Sequence, residues 1–318
     1  MTLRVEMHRT RLLTAVMTIC ACALLACSPS PAGKEIPVHN YVEFEAALDS
    51  LGFSMEAWHA GIREVPRAYV IDIPARWGEI GAKEVTVNRK KRIFYRALLP
   101  LILHAQEILA EDRYRVTVLF EKIAAGQELT AEEQTWLAEL AHRYKVVDQP
   151  HTEFTAELVQ ELLRRVDIVP ASLALAQAAY ESGYGTSRFA GLGNALYGQW
   201  AWGEGLKPDG QREEHGDHRI AAFETPLRST LSYMHNLNTH QAYAPFRELR
   251  ARMRVEREDL DGYELAATLE KYSERGQEYV NTLRGIMRVN QLVQADAAYL
   301  RDMEPIHLVP AAWRDLGD

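Results

Sequence analysis

Glu181 is the single charge in the run from Val169 to Ser182, VPASLALAQAAYES, and its position makes it the first candidate for chemistry. A carboxylate among so many apolar side chains is costly to bury unpaired. Desolvation and the negative end of the helix dipole both favour its protonated form. A carboxyl group held protonated suits a general acid, as in glycoside cleavage, where it protonates the leaving oxygen while a second group acts on the other face of the sugar. The alternative is a structural carboxylate bonding the backbone N–H groups of the turn that follows. Close behind come Tyr197, Trp200 and Trp202, whose flat faces suit stacking on pyranose rings or, equally, core packing. Asn194 and Gln199 lie between or beside them and could offer amide hydrogen bonds to acetamido groups. His215 and His218, flanked by Glu214 and Asp217, have ligand chemistry but sit in a loop without a third strong partner. No HExxH or GxxxxGK run occurs, so neither a metal nor an organic cofactor is expected.

The elements that must position these groups are legible around them. Pro170 starts a helix at the position where its missing N–H is no loss, and Gly183 supplies the backbone freedom that ends it. Leu173, Leu175, Ala176, Ala178, Ala179 and Tyr180 cover every face, so this helix is expected to be buried. Gly203 to Gly216 is polar and glycine-rich, and Arg219 to Phe223 reads as a short strand, which together predict a small β-hairpin lobe. Helical patterns follow over Leu227 to Leu237, Leu260 to Tyr272 and Tyr279 to Leu292. Upstream, Phe44, Ala47, Leu48 and Leu51 mark a helix closed by Gly52. Ile93 to Leu109 marks a longer one with a kink expected at Pro100. Tyr114 to Ala125 gives a further helix stopped by Gly126, and Thr130 with Glu133 forms a capping box opening a helix through Tyr144.

The run AQAAYESGYGTSRFA followed by GNALYGQW resembles the core of the Bax-like branch of the glucosaminidase family, over about Thr152 to Leu300. Arg67 to Val147 also resembles the leader domain of that branch. The resemblance implies a mainly α, lysozyme-like catalytic domain, peptidoglycan as substrate class, and Glu181 in the position of the family's acid. It places a second carboxylate in the hairpin lobe, for which Glu213 and Glu214 are the candidates, a solvated loop being the other reading. Tyr272 matches a tyrosine that the family places near the acid, and Tyr279 fits the same pattern. Both could instead be core tyrosines. The residues after Gly198 depart from the family's more usual sequence.

Arg4, Arg9 and Arg11 precede an uncharged apolar run, Leu12 to Ala26, of signal-peptide length. It ends in LLAC, which resembles a bacterial lipobox with Cys27 as the lipidated residue. Cys20 and Cys22 lie inside the segment expected to be removed, so the mature chain has no cysteine for a disulfide, a thiol nucleophile or a zinc–thiolate site. Removal takes three arginines and Glu6, leaving the chain two units more negative than its formal −8. Nucleic acid is an unsuitable partner for so acidic a protein. Ser28 after the cysteine resembles the outer-membrane sorting pattern, so the expected location is the cell envelope, anchored by lipid and facing the periplasm.

The expected organisation is therefore a signal peptide (1–26), a Pro- and Ser-rich tether (27–40), a helical leader domain (41–147), a glucosaminidase domain (148–300) and a surface tail (301–318). The expected activity is an endo-β-N-acetylglucosaminidase acting on peptidoglycan. A lytic transglycosylase of the same fold and a peptidoglycan-binding scaffold are the alternatives.

Overall fold

The computed structural model describes residues 33–150, 153–202, 205–207, 218–256 and 259–311. The candidate residues Cys27, Glu213, Glu214 and His215 lie outside them, as do the side chains of Trp202 and His218. The described chain is mainly helical with three small sheets.

Strand β1 (Lys34–Val38) leads to α1 (Tyr41–Ser50), whose N-cap Asn40 accepts from the amides of Val42 and Glu43. Helix α2 (Met55–His59), strands β2 (Glu64–Val65) and β3 (Ala68–Val70), a π-helical turn (Trp77–Gly81) and the short α3 (Ala82–Glu84) follow. Then comes α4 (Val87–Ala124), 38 residues long and capped by Thr86. Where the apolar pattern predicts two helices, the structure makes one, and Pro100 sits inside it fully enclosed by the core.

Helix α5 (Ala131–Arg143) opens with the capping box, in which Thr130 and Glu133 satisfy each other's amides. Next are α6 (Ala156–Arg165), α7 (Ala171–Ser182) and α8 (Arg188–Gly193). Strands β4 (Trp200–Trp202) and β5 (His218–Ile220) pair antiparallel, with Trp200 opposite Ile220, and form the expected hairpin lobe. Thr225 and Pro226 start α9 (Pro226–Thr239), followed by α10 (Ala244–Glu256), α11 (Gly262–Leu265) and α12 (Gln277–Val289). A 3-10 helix (Leu292–Ala297) and strands β6 (Tyr299–Leu300) and β7 (Ile306–Pro310) close the described chain.

Helix α7 is the centre. Every residue from Ala171 to Ala179 is at most 1% exposed, and α4, α11, α12 and the Leu292–Ala297 helix pack around it. This is the structural meaning of a helix without a polar stripe. The first half of α4 shares its core, through Ile93, Leu98, Leu101, Ile102 and Ala105. The second half joins α5 and α6 in a smaller cluster of Val116, Leu119, Leu137, Leu140, Val159 and Leu162.

Three expectations are corrected here. The boundary expected between 147 and 148 separates no cores: residues from Gly33 onward form one unit, and both apolar clusters draw on each side of that point. The tether, expected to run to 40, gives way to a strand at Lys34 whose Val38 is buried. The tail expected on the surface carries β7, the middle strand of a parallel sheet ordered β1-β7-β3, with Leu308 fully buried. These strands are short and interrupted by Pro37 and Pro310, and their partners are far away in sequence, so local patterning gives no sign of the pairing.

At the base of α7, Pro170 as N-cap has no side-chain acceptor to offer. Asp296 supplies it from the Leu292–Ala297 helix, taking the Ser172 amide at 2.7 Å and the Ser172 hydroxyl at 2.6 Å. Below α6, Asp167 is buried against Arg250, Arg254 and Arg113. Arg250 also donates to the carbonyls of Arg164, Arg165, Asp167 and Ile168, tying α10 to the end of α6.

Candidate active site

Glu181 is carried at the end of α7 by a sharp reversal of the chain. Gly183, Tyr184 and Gly185 all adopt positive φ, at 59°, 62° and 73°. Tyr184 is the one with a steric cost there. It is held by the Trp77 indole, which donates to its carbonyl, and by edge-on packing with Phe94 and Tyr95. Ser182 completes the turn: its hydroxyl donates to the Ala178 carbonyl and accepts from the Gly185 amide. The amide of Tyr184 goes to the Ala179 carbonyl. The turn's own amides are thus served without Glu181, which answers the reading of that residue as a structural carboxylate.

The carboxylate of Glu181 is directed instead at α12, where Oε1 accepts the Tyr279 hydroxyl at 2.9 Å. Burial pushes its pKa up to about 7, and the Tyr279 hydrogen bond offsets only part of that rise. On the other side, Gly198 comes so close that a Cβ there would lie 2.8 Å from Oε2. Glycine is required at 198 on two counts, since its φ is 62°.

A cluster of phenols surrounds this carboxylate. Tyr272 stacks parallel to Tyr279 with centroids 5.6 Å apart, and its hydroxyl donates to the Tyr197 carbonyl at 2.9 Å. Tyr180 packs edge-on against Tyr279 and accepts from Arg275. Burial, and then the charge of Glu181, hold the Tyr272 and Tyr279 hydroxyls firmly protonated. Tyr243 is raised to about 12, chiefly by burial, with Asn236 opposing and Glu181 adding to the rise. No basic side chain among the described residues forms an ion pair with Glu181, so the Tyr279 hydrogen bond opposes burial there without a neighbouring positive charge.

The residues expected to touch sugar divide. Trp200 remains 51% exposed on β4, in the lobe. Tyr197 is only 1% exposed and stacks flat on Tyr233 at 3.9 Å, so its ring is core and offers no face to a pyranose. Asn194 is corrected likewise. It is the left-handed C-cap of α8, and its side chain accepts from the Ile73 amide and donates to the carbonyls of Phe223 and Glu224. Its amide is consumed by backbone. Gln199 donates to the Ser232 hydroxyl, and its Oε1 is buried with no hydrogen-bond partner among the described residues. Tyr279 is fully buried and bonds the acid rather than presenting a surface.

Three residues of this site escape a reading of composition and spacing. Gly198 is a lone glycine in an aromatic loop. Gln177 is the polar residue one turn before Glu181 in an otherwise apolar helix, and that spacing puts both on one face. Tyr233 shows no sign in the sequence, because its partner lies 56 positions away.

Comparison with known proteins gives the family. Residues 156–292, which include α7, the lobe and α12, match the family described as mannosyl-glycoprotein endo-beta-N-acetylglucosaminidase. The chain is 32% identical over 202 residues to the protein called Protein bax of Escherichia coli (strain K12), an alignment covering 64% of this chain and 70% of that one. No solved structure matches the chain. By that family match and that relative, the chain belongs to the Bax-like branch of the glucosaminidase family.

Proposed function

We propose that this protein is a peptidoglycan hydrolase that cleaves the glycan strand as an N-acetylglucosaminidase, with Glu181 as the general acid. The observation that carries this reading is a carboxyl group raised to about 7 by burial, with a hydrogen-bond donor on Oε1 and Gly198 beside Oε2. Such a group gives its proton to the glycosidic oxygen near neutral pH, the bond from that oxygen to the sugar's anomeric carbon breaks, and water adds to that carbon. Glu213 or Glu214 would deprotonate the water or attack from the opposite face. The substrate's own 2-acetamido group is the other source of assistance. Trp200 would stack on a sugar ring at the lobe.

Anchoring by lipid on Cys27, with the catalytic unit facing the periplasm from the outer membrane, is part of the same proposal. It rests on the LLAC sequence and the serine after it. Loss of radiolabelled palmitate incorporation in Cys27→Ala would support it, and unchanged labelling would remove it.

Digestion of purified peptidoglycan by the protein and by Glu181→Gln, with the new ends identified by mass spectrometry, tests the activity. Reducing N-acetylglucosamine ends that vanish in the variant are the expected result. Ends of 1,6-anhydro-muramic acid would instead show a lytic transglycosylase. Glycan binding without cleavage by either protein would show a scaffold.

A further inference from the structure

Helix α7 carries a second polar side chain one turn before Glu181. Gln177 is fully buried. Its Nε2 donates to the Tyr279 hydroxyl at 3.0 Å, and its Oε1 accepts from the Tyr233 hydroxyl at 2.5 Å. Together with the bond from Tyr279 to Glu181, these make an unbroken series: Tyr233 to Gln177, Gln177 to Tyr279, Tyr279 to Oε1 of Glu181. Each donor points the same way.

The direction is fixed at the far end. Tyr233 is fully buried in α9, stacked on Tyr197, and burial holds its hydroxyl protonated. Gln177 Oε1 is the hydrogen-bond partner its proton has among the described residues. A buried hydroxyl that lost its acceptor would bear the full cost of desolvation. The amide must therefore turn its oxygen to Tyr233 and its NH₂ to Tyr279. That leaves the Tyr279 hydroxyl accepting from Gln177 and free to donate in only one direction, to Glu181. If the amide turned over, its oxygen would take the Tyr279 proton, and Oε1 of Glu181 would face a phenol oxygen able only to accept.

We propose that Tyr233 and Gln177 are positioning residues that set the direction of the hydrogen bonds reaching Glu181, so that Oε1 is always the acceptor and the transferable proton resides on Oε2, beside Gly198. This rests on Glu181 being the acid of the proposed reaction. With the direction reversed, the proton of Glu181 would be drawn onto Oε1 and held toward Tyr279, away from the substrate.

The test is a double-mutant cycle read on the titration of Glu181 itself, by NMR of protein labelled with ¹³C at the glutamate carboxyl, with Glu181→Gln identifying the resonance. Tyr233→Phe removes the anchor without changing the ring. It is expected to raise the Glu181 pKa by about one unit, because a hydrogen bond that favours the charged form is lost. In a Tyr279→Phe background the same substitution is expected to change nothing, since it acts only through Tyr279. Gln177→Met, similar in length and without hydrogen-bonding groups, takes away the competing oxygen together with the donor, so Tyr279 still donates to Glu181 and the titration is expected to shift less than in Tyr233→Phe. In glycan cleavage, Tyr233→Phe should lower kcat with KM unchanged. An unshifted Glu181 titration in Tyr233→Phe, a shift in Gln177→Met as large as that in Tyr233→Phe, or an equal Tyr233→Phe shift in both backgrounds, would overturn the proposal. Because the titration is read without turnover, failure of the wild-type protein to cleave peptidoglycan counts against the proposed activity alone.

Discussion

A Cβ on Gly198 would stand 2.8 Å from Oε2 of Glu181, closer than any side chain carbon can approach an oxygen without displacing it. Gly198→Ala therefore forces the carboxyl group or the loop to move, and places alanine at a φ of 62°. Peptidoglycan cleavage should fall by about 100-fold, while stability falls by only about 1–2 kcal/mol. Reducing-end assays beside thermal melts check the pair of effects. Loss of activity in simple proportion to loss of folded protein would show that the contact has no catalytic meaning.

The pKa of Glu181 gives a pH dependence of known sign. The folded value, about 7, lies above the ordinary 4.5, so the acid is protonated below pH 7 and the rate should decline as pH rises through that point. The same shift lowers stability as pH rises from about 4.5 to 7, because the buried charge is unwelcome. Glu181→Gln removes that charge. It should be inactive, yet more stable than wild type by about 1–3 kcal/mol at pH 8 and indistinguishable at pH 4. Urea melts at the two pH values decide this.

Asp296 titrates in a lower window. Burial raises its carboxyl to about 6, against the hydrogen bonds donated by Ser172 and Gly262. A raised carboxyl costs stability as pH climbs from 3.8 to about 6. Asp296→Asn has the shape of the protonated form and should flatten this part of the stability profile. Asp296→Ala strips the N-terminus of α7 of its acceptor and should cost about 2 kcal/mol. A slope between pH 4 and 6 that persists in the asparagine variant would assign it to another group.

Around Asp167 the sign reverses. Burial alone would raise this carboxyl, but Arg250 and then Arg254 and Arg113 outweigh it and hold the group below its usual value. Its contribution is present above about pH 4 and lost as pH falls. Arg250→Met removes the charge that does most to lower the Asp167 carboxyl and a donor to four carbonyls, and should destabilise by about 3–5 kcal/mol at pH 7. Adding Asp167→Leu should recover part of that loss, whereas additive losses would rule out the pairing as the cause.

What was legible in the chain follows the range over which each interaction acts. Pro170 and Gly183 at the limits of α7 and the Thr130 capping box act within a few positions, the hairpin lobe pairs strands within about 20, and the sequence displays them. Glu181 stands out because a lone charge in an apolar run has few explanations. Tyr197 misleads for the opposite reason: an aromatic two residues from a polar glutamine looks like a binding face until Tyr233 is seen stacked on it. Asn194 looks like a ligand for an amide, but its αL backbone makes it a helix cap. The strands at Lys34 and Ile306 could not be paired from local pattern, since their register is fixed by contacts between opposite ends of the chain.

That pairing has a consequence for biosynthesis. Strand β1 leaves the ribosome early, but its partner β7 is translated some 270 residues later. Until then β1 and β3 are edges without a neighbour, and Ile36 and Val70 lack Leu308, the fully buried residue that pairs with both. The nascent polypeptide must be kept from aggregating for nearly the whole of its synthesis, and a ribosome that stalls before Ile306 releases a product that cannot close its fold.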